Sequence, residues 1–280
     1  MTGRPFTARH AAGVIGAYAA ALAATLFFAF PVYWMASSSL KSEADVASYP
    51  PAFLFTPTFE EYRKLFSELN AWDALRNSVL IVGIATGLAM IAGTMAAYAL
   101  ARFNIKNKTF LAFEILSIRM LPPIVSVIPL FIIAKTLGVF DTPWLLIAIY
   151  MLNGLPFVVW IMRVFVQDVP KSIEEAALID GCSLYEAFWR VTLPLLLPGL
   201  AATMVIVFMF AWNEYLLASI LTSADAKTLP VIAANAIKPK AISWGLASAA
   251  GVLMSAPVVC LVLLMQRYLV RGLTLGAVKG

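Results

Sequence analysis

The sequence predicts an all-α integral membrane protein with six transmembrane helices, and three observations carry that prediction. Of 280 residues, 62% are hydrophobic and 12% charged, against roughly 45–50% apolar and about 25% charged in soluble domains. Mean hydropathy is +0.88. The apolar residues also gather into stretches long enough to cross a hydrocarbon core about 30 Å thick, which takes about 20 helical residues. An ordinary soluble domain is excluded, and spans replace soluble-domain size as the unit for dividing the chain.

A short tail, residues 1–11, precedes the first stretch, Ala12–Ala36. Arg4 and Arg9 ahead of it resemble the start of a secretion signal, but an apolar run of about 25 residues exceeds the 7–15 of a signal, so an uncleaved span is expected. Five further stretches follow: Asn77–Ala101, Leu111–Ala134, Trp144–Val166, Pro198–Leu221 and Leu246–Gln266. Residues 12–280 thus read as one transmembrane domain. An even number of spans puts both termini on one side. The densest basic cluster, Arg102–Lys108, lies in a short loop on that side, where positive charge marks the cytoplasm most reliably. Between the first two spans, Ser37–Arg76 carries Tyr49-Pro50-Pro51-Ala52-Phe53 and a polar, helix-like Phe59–Asn70, which predicts a small external cap. Gly83 and Gly87 in the second span form a small-xxx-small face expected to pack helices.

Composition narrows the function as well. The net charge of +5 comes from basic residues scattered between apolar stretches, which fits a membrane surface and not nucleic acid. Cys182 and Cys260 lie far apart, and His10 is the single histidine, so neither a disulfide nor a metal centre is expected. An intramembrane enzyme would need a converging nucleophile and base. No GxxxxGK[ST] phosphate loop is present, so the chain has no such route to ATP hydrolysis of its own. A transport subunit remains, driven by a partner or by an ion gradient, as in a secondary carrier or channel.

The cytoplasmic segment Gln167–Leu197 is the most informative. Pro170 suits the start of a helix, with Ser172 as its cap and Glu175 reaching back to complete a capping box. Asp180-Gly181 ends that helix, since glycine takes the left-handed conformation freely. Ser183 and Glu186 then offer a second capping box. Pro194 and Pro198 close the unit before the fifth span. A short helix pair held at the cytoplasmic face would act as a rigid lever against a soluble partner, with Cys182 as a small packing residue.

Ionisable and amide groups inside spans are costly, so they face a cavity or one another. Glu114, Arg119, Asn153, Asn213 and Glu214 are the candidates. Arg119 precedes Pro122-Pro123, whose missing amide hydrogens must disrupt the third span, and broken helices at mid-depth mark transport sites. Trp212, Tyr215 and Tyr150 are near enough in sequence to offer flat aromatic faces. The expected substrate pathway is therefore Arg119, Asn153, Trp212, Asn213, Glu214 and Tyr215, with interhelical glue as the competing role.

The string Glu175-Ala176-Ala177, three residues, Gly181, nine residues, Val191-Thr192-Leu193-Pro194 resembles the EAA loop of permease subunits of ATP-binding cassette (ABC) importers, with valine where that motif allows isoleucine. Arg119-Met-Leu-Pro-Pro-Ile, Trp212-Asn-Glu-Tyr-Leu-Leu and the tail from Gly272 to Gly280 are similar to the carbohydrate branch, in its six-span, maltose-type second permease. The resemblance implies a type I importer permease in a bacterial cytoplasmic membrane. Its EAA loop would be the helix that couples to a separate ATPase through Glu175, Ala176, Ala177, Asp180, Gly181, Leu193 and Pro194. It further implies a second permease, a homodimeric ATP-binding subunit that holds the ATP and magnesium, and an extracytoplasmic solute-binding protein. This chain itself would bind no cofactor and translocate a sugar, polyol or glycerol-like solute.

Overall fold

The protein is described here from a computed structural model, which covers residues 8–238 and 241–277; most of the expected N-terminal tail and the last three residues of the C-terminal one lie outside the described residues. The order along the chain is α1 (Ala8–Ser38), α2 (Glu43–Val46), α3 (Glu60–Ser67), α4 (Ala71–Arg102), α5 (Lys108–Ser117), α6 (Pro123–Thr136), α7 (Pro143–Asp168), α8 (Lys171–Ile179), α9 (Leu184–Ala187), α10 (Leu193–Leu195), α11 (Leu197–Trp212), α12 (Leu216–Leu221), α13 (Leu229–Asn235) and α14 (Trp244–Ala277). One two-stranded ladder, β1 (Ile237–Lys238) with β2 (Ala241–Ile242), is the only departure from helix among the described regular elements. Among the described residues, four helices are long and apolar enough to cross a membrane unbroken, and two bent helix pairs bring the number to six when each is one span.

The first bend has an identifiable chemical cause. The expected third span splits into a helix closed by the 3₁₀ turn Ile118–Met120 and the helix α6, set at 84° to each other. Pro122 and Pro123 offer no amide hydrogens, and Leu121 ahead of them is extended, as a residue before proline prefers. The expected span Pro198–Leu221 is likewise not continuous. Helix α11 stops at Trp212, where the Asn213 amide donates back to the Met209 carbonyl (2.8 Å). A new helix, α12, starts on the Glu214 carboxylate, which accepts the Leu217 and Ala218 amides (2.8 and 3.1 Å). Upstream, α11 meets the Leu184–Leu195 segment at 73°.

The chain forms two compact units. One comprises residues 1–69 with 236–253. Within it the connection between α1 and α4 closes on itself: Lys41, 2% exposed, lies over the Trp34 ring (4.3 Å) and the Phe55 ring (5.0 Å). Ser39 bonds Tyr62 (2.9 Å), and buried Glu61 accepts from Lys64 (2.9 Å). These contacts fasten the polar helix predicted between Phe59 and Asn70.

The other unit comprises residues 70–235 with 254–280. Its core is the pairing of α4 with α7, flanked by α11. The packing face of α4 is Ala85, Ala89, Gly93, Ala97 and Ala101, a stripe repeating every fourth residue with all but Gly93 at 6% exposure or less, and Gly93 buried too. Small side chains let backbones approach closely: a Cβ on Gly93 would stand 2.6 Å from Val158, and one on Gly154 2.8 Å from Val207. Gly83 and Gly87 take no part, since nothing lies within 4 Å of either position. The small residues that pack helices within this chain are thus those through Ala89 and Gly93, and Gly83 and Gly87 lie on a different face of α4.

Asp141, at φ 60° between α6 and α7, holds the loop after α12. Its carboxylate accepts the amides of Ser223 (2.9 Å), Ala224 (2.8 Å), Asp225 (3.2 Å) and Ala226 (3.1 Å) and the Ser223 hydroxyl (2.6 Å). Partial burial works against its charge, but the bonds from Ser223, Ala224 and Ala226 outweigh that and hold the carboxyl well below the usual carboxylate range. A depressed folded pKa contributes stability that is complete above the ordinary value near 3.9 and fades as pH falls through the folded one. The Asp141→Asn variant is therefore expected to loosen the 222–226 loop at every pH above about 4, by about 1–2 kcal/mol after solvent screening. Limited proteolysis of that loop checks this, and equal cleavage in variant and wild type would overturn it.

Candidate functional site

The first candidate site is the segment following α7. Helix α8 starts after Pro170 with no side-chain cap: Ser172 lies one residue inside it, so the first predicted capping box does not form. Pro170, extended and without an amide hydrogen, supplies the start by its fixed φ instead. The second box forms as expected, with the Ser183 hydroxyl accepting the Glu186 amide and the Glu186 carboxylate accepting the Ser183 amide. That carboxylate is held below its ordinary pKa by the Ser183 amide and hydroxyl. Between the boxes Gly181 sits at φ 91°, and Asp180, Gly181 and Cys182 donate their amides back to Ala176, Leu178 and Ala177. The segment then passes through one π-helical turn, Phe188–Thr192, before Leu193-Pro194.

Of the residues expected to couple to a partner, Glu175, Ala176, Asp180, Gly181 and Pro194 are exposed, Leu193 is half-buried, and Ala177 faces inward. Around them an apolar surface is left open: Ile179 is 86% exposed and Tyr185 70%, with Ile173, Leu178, Leu184 and Trp189 also exposed. Apolar side chains grouped at a polar boundary mark a surface for another protein.

Beneath this surface is an anchor that the motif did not reveal. Glu174, not Glu175, is the buried glutamate. It pairs with Arg102, the last residue of α4, which reaches both its oxygens: Nε to Oε1 at 2.9 Å and to Oε2 at 3.0 Å, Nη2 to Oε1 at 2.8 Å. Tyr98 and Thr192 donate their hydroxyls to the same carboxylate (3.2 and 3.0 Å). The signal was present in helical spacing, since Glu174 lies three residues before Ala177 and so shares its inward face.

The second candidate is a cavity of about 90 Å³ lined by Arg119, Tyr150, Asn153, Phe157, Phe210 and Glu214. A neighbouring space of about 460 Å³ on the Pro122-Pro123 side shares Arg119, Asn153 and Phe157. The third-span break places Arg119, whose guanidinium lies over Phe157 (4.5 Å) and Phe210 (5.7 Å), two rings stacked at 5.1 Å. Tyr150 donates to Glu214 (3.0 Å). Arg119, Asn153 and Glu214, predicted from three different spans, therefore meet in one place.

Trp212, Asn213 and Tyr215 do not. Trp212 is 1% exposed, stacks on Phe208 and donates its indole to the Met254 carbonyl (2.9 Å), so it joins α11 to α14 and lines no cavity. Asn213 is spent on the helix end, and Tyr215 points away, half exposed. Adjacency in sequence misled here because the helix ends at Trp212, and neighbours beyond a helix end need not share a face. Among the described residues, no three His, Cys, Asp or Glu side chains converge as metal ligands would.

Comparison with known proteins agrees with this geometry. Residues 89–275 match the family described as the binding-protein-dependent transport system inner membrane component. The chain is 36% identical over 252 residues to a probable ABC transporter permease of Sinorhizobium fredii, covering 90% of this chain and 91% of that one. It is 39% identical over 253 residues to the trehalose transport system permease of Mycobacterium tuberculosis, covering 89% and 92%. A diacetylchitobiose uptake permease of Streptomyces coelicolor is 34% identical, covering 90% and 92%. In fold, the chain matches a subunit of a bacterial ABC transporter involved in alginate import, with a TM-score of 0.74 at 23% identity over 95% of this chain and all of that one. Family membership removes the ion-driven carrier and the channel from consideration, and it assigns transport, not catalysis, to this chain, with ATP hydrolysis on a separate subunit. A helical membrane fold, a motif-spaced segment between α7 and α11 and these relatives converge on one conclusion: the chain belongs to the inner-membrane permease subunits of binding-protein-dependent ABC importers.

Proposed function

We propose that the chain forms one half of the pathway of an importer for a carbohydrate or polyol-like solute: a sugar, sugar alcohol, glycerol or glycerol phosphate. Both termini lie in the cytoplasm. A second permease supplies the other half, and a homodimeric ATPase binds the ATP and magnesium, leaving this chain without a cofactor. The segment from Ser172 to Phe188 docks on that ATPase, and nucleotide-driven closure there switches the spans from inward-facing to outward-facing. Loops Ser37–Arg76 and Thr222–Trp244 receive the external binding protein, and the tail Arg271–Gly280 lies against the ATPase.

The observation that carries this reading is the cytoplasmic segment itself, with its left-handed glycine turn between two short helices and its exposed Ile179 and Tyr185. The carbohydrate assignment is supported by the relatives' names, which include trehalose, diacetylchitobiose and sulfoquinovosyl glycerol. It is also supported by the cavity, where an amide, a carboxylate, a guanidinium and aromatic faces offer what hydroxyl-rich solutes require. A pull-down from solubilised native membranes through an N-terminal tag tests it. Recovery of an ATPase, a second permease and a solute-binding protein is expected, and that binding protein can then be screened for its sugar. Recovery of this chain, folded, with a second permease but no ATPase would overturn the docking assignment.

A further inference from the structure

We propose that the buried Arg102–Glu174 pair is the joint through which movement of the cytoplasmic segment reaches the membrane spans, so that both are positioning residues for transport. This rests on the reading that the segment docks an ATPase, but it concerns what happens after docking.

The argument starts from the length of α8. Nine residues are too few to hold a helix in water unaided, and α8 buries only Glu174 and Ala177. Its orientation must therefore come from what grips those two positions. The Glu174 carboxylate accepts from Arg102 and Tyr98 on α4 and from Thr192 in the π-helical turn. Arg102 in turn donates its Nη2 to the Val169 carbonyl at the end of α7 (2.8 Å). Four elements meet at one ion pair: the second span, the fourth span, the docking helix and the start of the fifth segment. Both side chains are nearly inaccessible, at 7% and 10% exposure.

If close packing were the only need, apolar side chains of the same volume would serve as well or better, because two charges taken from water cost more in desolvation than they readily return. What the forked contact adds is direction. A guanidinium bonded to both carboxylate oxygens, with further donors on the remaining lone pairs, resists both sliding and rotation. An apolar contact between the same helices resists neither. The pair therefore makes α8 and the ends of α4 and α7 move as one body, which is what a lever requires.

The test uses the complete importer in liposomes, in a Cys182→Ala/Cys260→Ala background, with one spin label at position 72, an exposed tryptophan at the start of α4, and a second on the corresponding end of the partner permease. The probe is ATP with vanadate, and the readouts are the inter-label distance and the amount of ATPase co-purifying. The paired variant Arg102→Met/Glu174→Leu, which fills the same space and leaves no buried charge unpaired to unseat α8, is expected to keep the wild-type amount of ATPase but lose more than half of the nucleotide-driven distance change, and Arg102→Lys, which keeps the charge without the fork, is expected to lose a smaller part of it. Two results would overturn the joint: a full distance change in the paired variant, or loss of ATPase in proportion to the lost response. The docking reading fails differently, because it requires Glu175→Lys, on the exposed surface, to lose the ATPase.

Discussion

Replacing Gly181 with valine is expected to strip the ATPase from the purified complex while leaving every span inserted. At φ 91° an L side chain is strained, and valine, branched at Cβ, is among the worst choices. Such strain costs on the order of 1–3 kcal/mol or more, and the nine-residue helix ahead of the turn has little to set against it. The turn would open, the three returning amide bonds would be lost, and α9 would no longer follow α8 at the observed angle. No clash contributes, since nothing lies within 4 Å of a Cβ built on Gly181. The effect is purely conformational, which makes it separable. Asparagine, the residue that best tolerates the left-handed region after glycine, should recover most of the association. Co-purification measures the loss, and protease protection of the spans shows that the membrane part is intact. A valine variant that retains the ATPase would remove Gly181 from the coupling machinery.

The second large effect is expected at Glu214, where alanine should reduce uptake by about tenfold or more. The carboxylate serves three donors at once: the Tyr150 hydroxyl and the amides of Leu217 and Ala218. Truncation strands them in a region poor in water, at about 1–3 kcal/mol for each donor left unpaired. Uptake should fall further than assembly, because Tyr150 and the start of α12 border the cavity that Arg119 and Asn153 share. Glutamine separates the two contributions, since its amide oxygen still accepts while its charge is gone. Thermal stability should return in part in Glu214→Gln, because one amide oxygen can take the Tyr150 and Ala218 donors but leaves the Leu217 amide facing an NH2 group, and uptake should not return. If both return together, the residue is a structural tie between helices and not a solute contact.

Much of this was legible in the sequence because the membrane simplifies the reading. Every backbone group must be satisfied within the span, so length and apolarity alone locate the helices, and prolines such as Pro122 and Pro123 locate the break. The Ser183–Glu186 box and the Gly181 turn were equally readable, being local chemistry over three or four residues. What escaped was rotation about the helix axis. With nearly uniform apolarity, α4 offers no contrast between faces, so Gly83 and Gly87 looked as good as the stripe through Ala89 and Gly93. The same blindness placed Trp212 in the cavity. Arg102 escaped for another reason, since its partner lies 72 residues away and no local pattern joins them.

The exposed surface around Ile179 and Tyr185 also bears on how this chain behaves in the hand of a biochemist. Detergent covers the spans, but it does not replace a protein partner on this patch, which lies in the connection between α7 and α11. Extracted alone, the chain should therefore self-associate slowly through that patch at concentrations where a permease bound to its ATPase stays monodisperse. The elution profile on a sizing column becomes a simple gauge of whether the cytoplasmic face is occupied. Fusion tags or crystallisation chaperones intended for the isolated chain belong on this patch, where they would stand in for the absent surface.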